Sequence, residues 1–332
     1  MIHTPERNTD DSVAVLMLCS RLGLGDSEIE ASPLTLREWN ALARKIHESA
    51  LERPSALLGL SVADLGKHLA IPESEAKRTV RLLDRGGAIA LELEQLSASG
   101  IWWVTRIDDS YPSRLKNSLK HQAPPVLFGA GNTSILDQSA VGIVGSRNID
   151  EDGANFARRL GALCARSSVA VVSGGARGTD RIAMQGALDA DGCTVGVLAD
   201  SLSKTIRQPD VRNFIADERL VLVTPYRPDN GFTVGGAMGR NKIIYGCADY
   251  SVIVSSEFEK GGTWAGAIDT LSAEWCPLFV RSDRGAGTGN EELLKKGVHA
   301  VSAADLESMT NLSEWMKAHS QSEPQQAALA FT

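Results

Sequence analysis

The chain has 332 residues, 43% of them hydrophobic and 23% charged, which supports a sizeable packed core, about two domains, and no wholesale disorder. Its formal net charge is −7, and neither half is basic: residues 1–139 hold 15 Lys and Arg against 18 Asp and Glu, and residues 140–332 hold 19 against 23, so any polyanion must be met by a local cluster. No apolar run nears the ~20 residues that span a bilayer, the start MIHTPERNTDDS has no apolar signal core, and five scattered cysteines without a CxxC pair leave no zinc or disulfide framework. A cytoplasmic setting with no membrane attachment is the expectation.

Residues 1–12 read as a flexible tail and residues 13–99 as an N-terminal helical domain. LREWNALARKIHESAL (36–51) and ESEAKRTVRLLDRG (73–86) place apolar residues three and four apart. Pro72 followed by Glu73, Ser74 and Glu75 predicts a helix start, with acids against the positive end of the dipole. Gly86 and Gly87 predict a stop. The stretch LSVADLGKHLAIPESEAKRTVRLL predicts two short helices joined by a turn, either a packing unit or a DNA-reading helix-turn-helix.

Residues 100–139 read as a connector packing on the domain that begins at 140. IWWVTRIDDSYPSRL predicts a strand and a Tyr-Pro turn, and APPVLFGAGN a second extended run. Trp102 and Trp103 have the choice of stacking bases or filling core, and core is the expectation.

From 140 to 305 the pattern changes. AVGIVGS (140–146), VAVVSGG (169–175), CTVGVLAD (193–200), LVLVTP (220–225), YSVIVSS (250–256) and CPLFV (276–280) are short β-rich runs, and GVHAV (297–301) predicts an edge element. Amphipathic segments at 155–167, 180–190 and 263–274 lie between them. Continuous apolar strands separated by helices predict an α/β fold: an open, mostly parallel, doubly wound sheet. Residues 306–332 read as a C-terminal tail.

Ligands of such sheets collect beyond the carboxyl ends of the strands. The residues found there are Gly145, Ser146 and Arg147; Ser173, Gly174, Gly175, Arg177, Gly178 and Asp180; Lys204 and Arg207; Arg240, Asn241 and Lys242; Gly262 and Thr263; and Arg281 and Arg284. Glycines let main-chain N–H groups approach a ligand, helix starts add partial positive charge, and arginine matches phosphate oxygens with a planar fork. Together these loops predict an anion pocket suited to phosphates. Asp180 reads as a helix cap or an arginine's partner. No GxGxxG or GxxxxGK[ST] is present, and none of the six histidines falls in these loops. No cofactor, metal ion or catalytic residue is therefore expected.

With these motifs in this order, residues 60–305 resemble the DprA/Smf family of bacterial DNA-processing proteins. The resemblance rests on ESEAKRTVRLL, the run from ELEQLSASGIWWV to VLFGAGN, VGIVGSR, VVSGGARGTDRIAMQGAL, GRNKIIYGCADYSVIV, KGGTWAGA and GTGNEELLKKGVHAV. It implies an extended Rossmann-like domain that binds single-stranded DNA without catalysis, with Gly145, Ser146, Arg147, Ser173, Gly174, Arg177, Gly178, Arg240, Asn241 and Lys242 at the backbone phosphates. It also implies homodimers and delivery of strands to a RecA-like recombinase in transformation or recombination. Two features depart from the family: ADSLSKTIRQPD stands where GLD-x-x-YP is common, and FTVGGAMGRN spreads out the usual Phe-Pro before Arg-Asn. The chain after 305 is also too short for a winged-helix domain. These departures raise two alternatives, an antitoxin-like partner of a toxin or defence protein and a nucleotide-binding sensor. Hydrolysis of a nucleotide by the related phosphoribohydrolase chemistry would need a glutamate where Gly266 stands.

Overall fold

The computed structural model describes residues 9–25 and 32–321. Helices α1 (Asp10–Cys19), α2 (Leu36–Glu48), α3 (Val62–Leu69), α4 (Glu73–Leu83) and α5 (Gly86–Ala98) come first, followed by β1 (Trp102–Thr105), α6 (Ser113–Leu119) and β2 (Val126–Ala130). The alternating part begins with β3 (Ala140–Val144), α7 (Glu151–Arg166), β4 (Ala170–Ser173), α8 (Thr179–Asp189) and β5 (Thr194–Val197). Two short helices, α9 (Leu202–Thr205) and α10 (Pro209–Ala216), lead to β6 (Leu220–Thr224), α11 (Val234–Gly246) and β7 (Tyr250–Ile253). The last elements are α12 (Gly261–Ala273), β8 (Leu278–Arg281), α13 (Thr288–Lys295), β9 (His299–Val301), α14 (Ala303–Ser308) and α15 (Leu312–Gln321).

The described strands form one sheet in the order β1-β2-β6-β5-β4-β3-β7-β8-β9. Every pair from β6 across to β9 is parallel, and β2 joins β6 antiparallel, as β1 joins β2. β3 and β6 are buried along their whole length, as their uninterrupted apolar runs require. Alternate residues serve opposite faces: Val141 and Ile143 join a core with Phe156 and Leu160 of α7 and Ala183 of α8, while Ala140 and Val144 join one with Ile243 and Tyr245 of α11 and Ala267 of α12. The expected doubly wound α/β sheet is present, and β9 is its edge strand.

The helical start packs on the same body. Leu16, Leu65 and Leu82 share one contiguous core with Val126 and Phe128 of β2. α2 opens with a reciprocal cap, in which Thr35 accepts from Glu38 N–H and the Glu38 carboxylate accepts from Thr35 N–H. α3 and α4 are the two short helices with a turn between them, and α4 follows Pro72 as its start signal requires. Trp102 is buried and donates its indole N–H to the Gly131 carbonyl at 2.9 Å, so it is spent on packing.

Three local expectations are corrected. Residues 10–12, placed in the flexible tail, form the first turn of α1: Thr9 caps it, and Ser12 is fully buried and donates to the Asp108 carboxylate. Gly86 and Gly87 begin α5 instead of ending α4; the break falls at Asp84 and Arg85, where the buried Arg85 guanidinium donates to the Leu22 carbonyl at 2.6 Å and to Met17. Residues 306–321, placed in the C-terminal tail, complete α14 and form α15. Leu312 and Met316 are fully buried there, and Trp315 packs on Phe279 of β8 with ring centroids 5.7 Å apart. Four-residue spacing of Leu312 and Met316 gives α15 an apolar stripe that covers the sheet. The rest of both predicted tails, 1–8 and 322–332, lies outside the described residues.

No helix among the described residues is long and apolar enough to cross a membrane.

Candidate nucleic-acid interface

Strands β3 to β6 are laid down in succession to one side of β3, and β7 then returns to its other side. The carboxyl ends of β3 and β7 therefore diverge into a crevice. A cleft of about 630 Å³ opens there. Gly145, Ser146 and Arg147 line it from the β3 end, Gly262, Thr263 and Trp264 from the start of α12, and Arg240 and Asn241 from α11. A second cleft, of about 310 Å³, shares Arg147, Ala176, Phe232 and Arg240 with it and adds Gly174, Gly175, Arg177, Arg181 and Asp200. A third, of about 380 Å³ between α11 and α12, shares Met238, Asn241 and Gly262 and adds Lys242, Asp269 and Trp275. Shared walls make the first two one groove along the rim of the sheet, and the third runs down from it between α11 and α12 to Trp275.

Local sequence explains the fit of the loops. The Ser146 hydroxyl donates to the Asn148 carbonyl at 2.8 Å and the Thr179 hydroxyl to the Ser146 carbonyl at 3.0 Å, which ties the β3 turn to the start of α8. Gly178 has φ +87, and a Cβ there would meet the Arg147 carbonyl at 2.5 Å, so glycine is required twice over. A Cβ on Gly174 would sit 2.0 Å from the Arg240 guanidinium. That absence of a side chain lets Arg240 lie across the β4 turn, where it donates to the Gly174 carbonyl at 3.1 Å and to Asn241 Oδ1 at 3.2 Å. Its Nε, buried, has no hydrogen-bond partner among the described residues. Asn241 in turn donates to the Gly262 carbonyl at 3.1 Å and fixes the start of α12. Of the helices that begin at this rim, α12 has no side-chain cap, which leaves its N-terminal N–H groups and partial positive charge to a ligand, whereas α8 starts buried, with its Thr179 and Arg181 N–H groups donating to the Ser146 and Ala176 carbonyls.

Charge along the groove is mixed. Arg147, Arg177, Arg181, Arg240 and Lys260 face Asp180, Asp200, Glu257 and Glu259. Asp180 is buried and accepts from Gly174 N–H at 3.1 Å, and burial pushes its carboxyl up to about 6 against the pull of Arg240. Burial likewise lowers the pKa values of Arg240 and Lys242. Arg147 is exposed, with its guanidinium 5.1 Å from the Phe232 ring centroid, and Arg177 donates to Asn148 Oδ1 at 2.7 Å.

Most of the residues singled out from sequence line these clefts, and six do not: Ser173, Gly178, Lys204, Arg207, Arg281 and Arg284. Ser173 is fully buried and donates to the Ile143 carbonyl at 2.6 Å, which locks β4 to β3. Gly178 lies beneath Arg147 as a packing position. Lys204 stands exposed on α9, away from the lining of all three clefts. Arg281 is also withdrawn, 2% exposed beside Asp283 and Asp150. Sequence reasoning missed Arg181, whose helical segment reads as ordinary amphipathic surface. It also missed the exposed Phe232, Val234 and Met238 on the rim; the signal for these was an apolar trio set in a glycine-rich stretch. Among the described residues no cluster of His, Cys, Asp and Glu could hold a metal ion.

Residues 102–312 match the family described as DNA recombination-mediator protein A. DNA processing protein DprA of Mycobacterium tuberculosis is 29% identical over 295 residues, covering 82% of this chain and 74% of its own length. DprA of Bacillus subtilis is 27% identical over 213 residues, or 62% and 70% of the two chains. The X-ray structure of Streptococcus pneumoniae DprA superposes with a TM-score of 0.65 at 19% identity, over 91% of this chain and 98% of that one, which shows a shared fold. A Helicobacter pylori DprA structure, described for its single-stranded DNA binding mode, gives a TM-score of 0.54 at 25% identity over 67% and 99%. The sheet is thus of the extended Rossmann-like type met in those structures, and the chain belongs to the DNA recombination-mediator protein A (DprA) family.

Proposed function

We propose that this protein binds single-stranded DNA without catalysis, gripping the sugar-phosphate chain in the groove at the carboxyl edge of the sheet, and that it acts in DNA processing and recombination. One observation carries the reading: Arg147, Arg177, Arg181 and Arg240 line a groove at the switch point onto which the uncapped start of α12 also opens. Arginine forks and free main-chain N–H groups are donors matched to phosphate oxygens. The one deeply buried carboxylate in the groove, Asp180, is engaged by Gly174 N–H and lies near Arg240, so it serves the scaffold. The H. pylori relative, described for single-stranded DNA binding, supports the same ligand.

In this reading Gly145, Ser146, Gly175, Gly262 and Thr263 offer main-chain or hydroxyl donors, Gly174 gives the Arg240 guanidinium its place, and Arg147, Arg177, Arg240, Asn241 and Lys242 offer side-chain donors. A RecA-like recombinase and a second copy of this chain are the partners proposed with it. The test is fluorescence anisotropy with oligo-dT and with duplex of equal length. Wild-type protein prefers the single strand, and Arg147→Ala weakens binding by roughly ten-fold, the worth of a charge-assisted hydrogen bond. Unchanged binding in both Arg147→Ala and Arg177→Ala overturns the assignment.

A further inference from the structure

On its α12 side the cleft is lined by a tryptophan, edged from outside the lining by an exposed phenylalanine, that phosphate binding leaves unused. Trp264 is the fourth residue of α12, directly after Gly262 and Thr263, and it lines the cleft. Phe258 sits on the preceding tight turn, which Glu257 and Lys260 close by pairing across it. The two rings meet edge to face with centroids 5.1 Å apart at 78°. Phe258 remains 41% exposed, and Trp264 is half-buried against the core on the α11–α12 side of the sheet. An aromatic ring held from behind and edged by a second is a rigid platform.

The charges on the same turn say what the platform meets. Glu257 and Glu259 line the cleft beside Trp264. Lys260 on the same turn also lines the cleft, but the two carboxylates outnumber it and leave the turn net negative, so the sugar-phosphate chain keeps to the side of Arg147, Arg240 and the α12 start. They do not repel a neutral base, whose N–H groups, thymine N3–H included, can donate to carboxylates. A strand whose backbone follows the arginine wall therefore turns its bases toward Trp264. Bases in a duplex are paired and stacked and cannot make that turn.

We propose that Trp264, edged by Phe258, is a stacking platform for an unpaired nucleobase and sets the preference of the groove for single strands. This deepens the single-stranded DNA reading above and rests on it. The experiment compares a dT 12-mer with a 12-mer of equal phosphate count whose bases are replaced by abasic spacers. Wild-type protein binds the dT strand roughly ten-fold or more tighter, since base–aromatic stacking is sequence-tolerant and strong. Trp264→Ala loses that preference while keeping its abasic affinity. Trp264→Phe retains most of it, and Phe258→Ala, at an exposed ring, reduces it. Arg147→Ala weakens both strands alike. Retention of the full dT preference by Trp264→Ala and Phe258→Ala, with Arg147→Ala still impaired, overturns the platform and leaves the phosphate groove standing. Failure of Trp264→Ala to fold leaves Phe258→Ala as the deciding variant. Failure of wild-type protein to bind either strand overturns both readings together.

Discussion

A carboxylate buried on the floor of the groove proposed for phosphates would oppose that ligand until it takes up a proton. Burial holds the Asp180 carboxyl near 6, above the ordinary 3.8. The folded state thus binds a proton more tightly than the unfolded chain, and the stability this contributes is full below about pH 4 and is lost as pH rises through 6. Strand affinity follows the same sign. Binding is expected to strengthen several-fold from pH 7.5 to 5.5 as Asp180 is neutralised near Arg240, and Asp180→Asn, which still accepts from Gly174 N–H, is expected to flatten that slope in anisotropy titrations. Gly174 gives a second residue-scale prediction. Alanine there would press on the far end of the Arg240 side chain, which is able to swing away. Gly174→Ala should therefore lower strand affinity by roughly ten-fold, the worth of a charge-assisted hydrogen bond, with only a small shift in melting temperature. Sequence alone identified both residues as belonging to a loop beyond a strand. Their depth was not legible, because burial of Arg240 depends on a β4 turn 66 positions earlier in the chain.

Elements divide into those that shape the groove and those that hold it. Asn290 at the start of α13 is buried and ties down the loop after β7: its Oδ1 accepts from Ser256 N–H at 2.8 Å and from the Ser256 hydroxyl at 3.0 Å, and its amide donates to the Val254 and Arg281 carbonyls. That loop leads into Glu257–Gly262, one wall of the cleft. Asn290→Ala leaves buried groups unpartnered at about 1–3 kcal/mol each, so it should lower the melting temperature and loosen strand binding together. α15 has a purely structural part. Met316→Ala, at a fully buried site, should cost about 2–5 kcal/mol in denaturant unfolding and leave strand affinity per folded molecule unchanged. The strands were legible because continuous Val, Ile and Leu runs flanked by helices have few other uses. The termini were misread because the first turn of α1, Asp10 to Ser12, is wholly polar and α15 carries its apolar residues among polar ones, and only the surface they cover identifies them as packed.

On the scale of the whole molecule, an acidic protein of net charge −7 is proposed to hold a polyanion. Its field as a whole repels DNA, so attraction must come from the four arginines gathered along one rim. Single strands give a salt slope of roughly −0.7 per phosphate neutralised, so log affinity against log salt should fall with a slope of about −2 to −3. A slope near zero in a salt titration of oligo-dT binding would remove the groove from consideration. A slope far steeper would point to a broader basic surface, which the composition does not supply.

The sequence by itself determined the repeating strand–helix alternation, the glycine and arginine loops that succeed the strands, and the family those motifs resemble. These are local properties, carried by side-chain period and by backbone freedom within a few residues. The tertiary structure decided which loops share a wall. It sank Ser173 and Gly178 into packing, left Lys204 outside, and brought Arg181 and Trp264 in. That outcome depends on strand order, with β7 returned beside β3 after β6 has been laid down at a distance. Strand order is settled by packing between residues far apart in the chain, which no local pattern encodes.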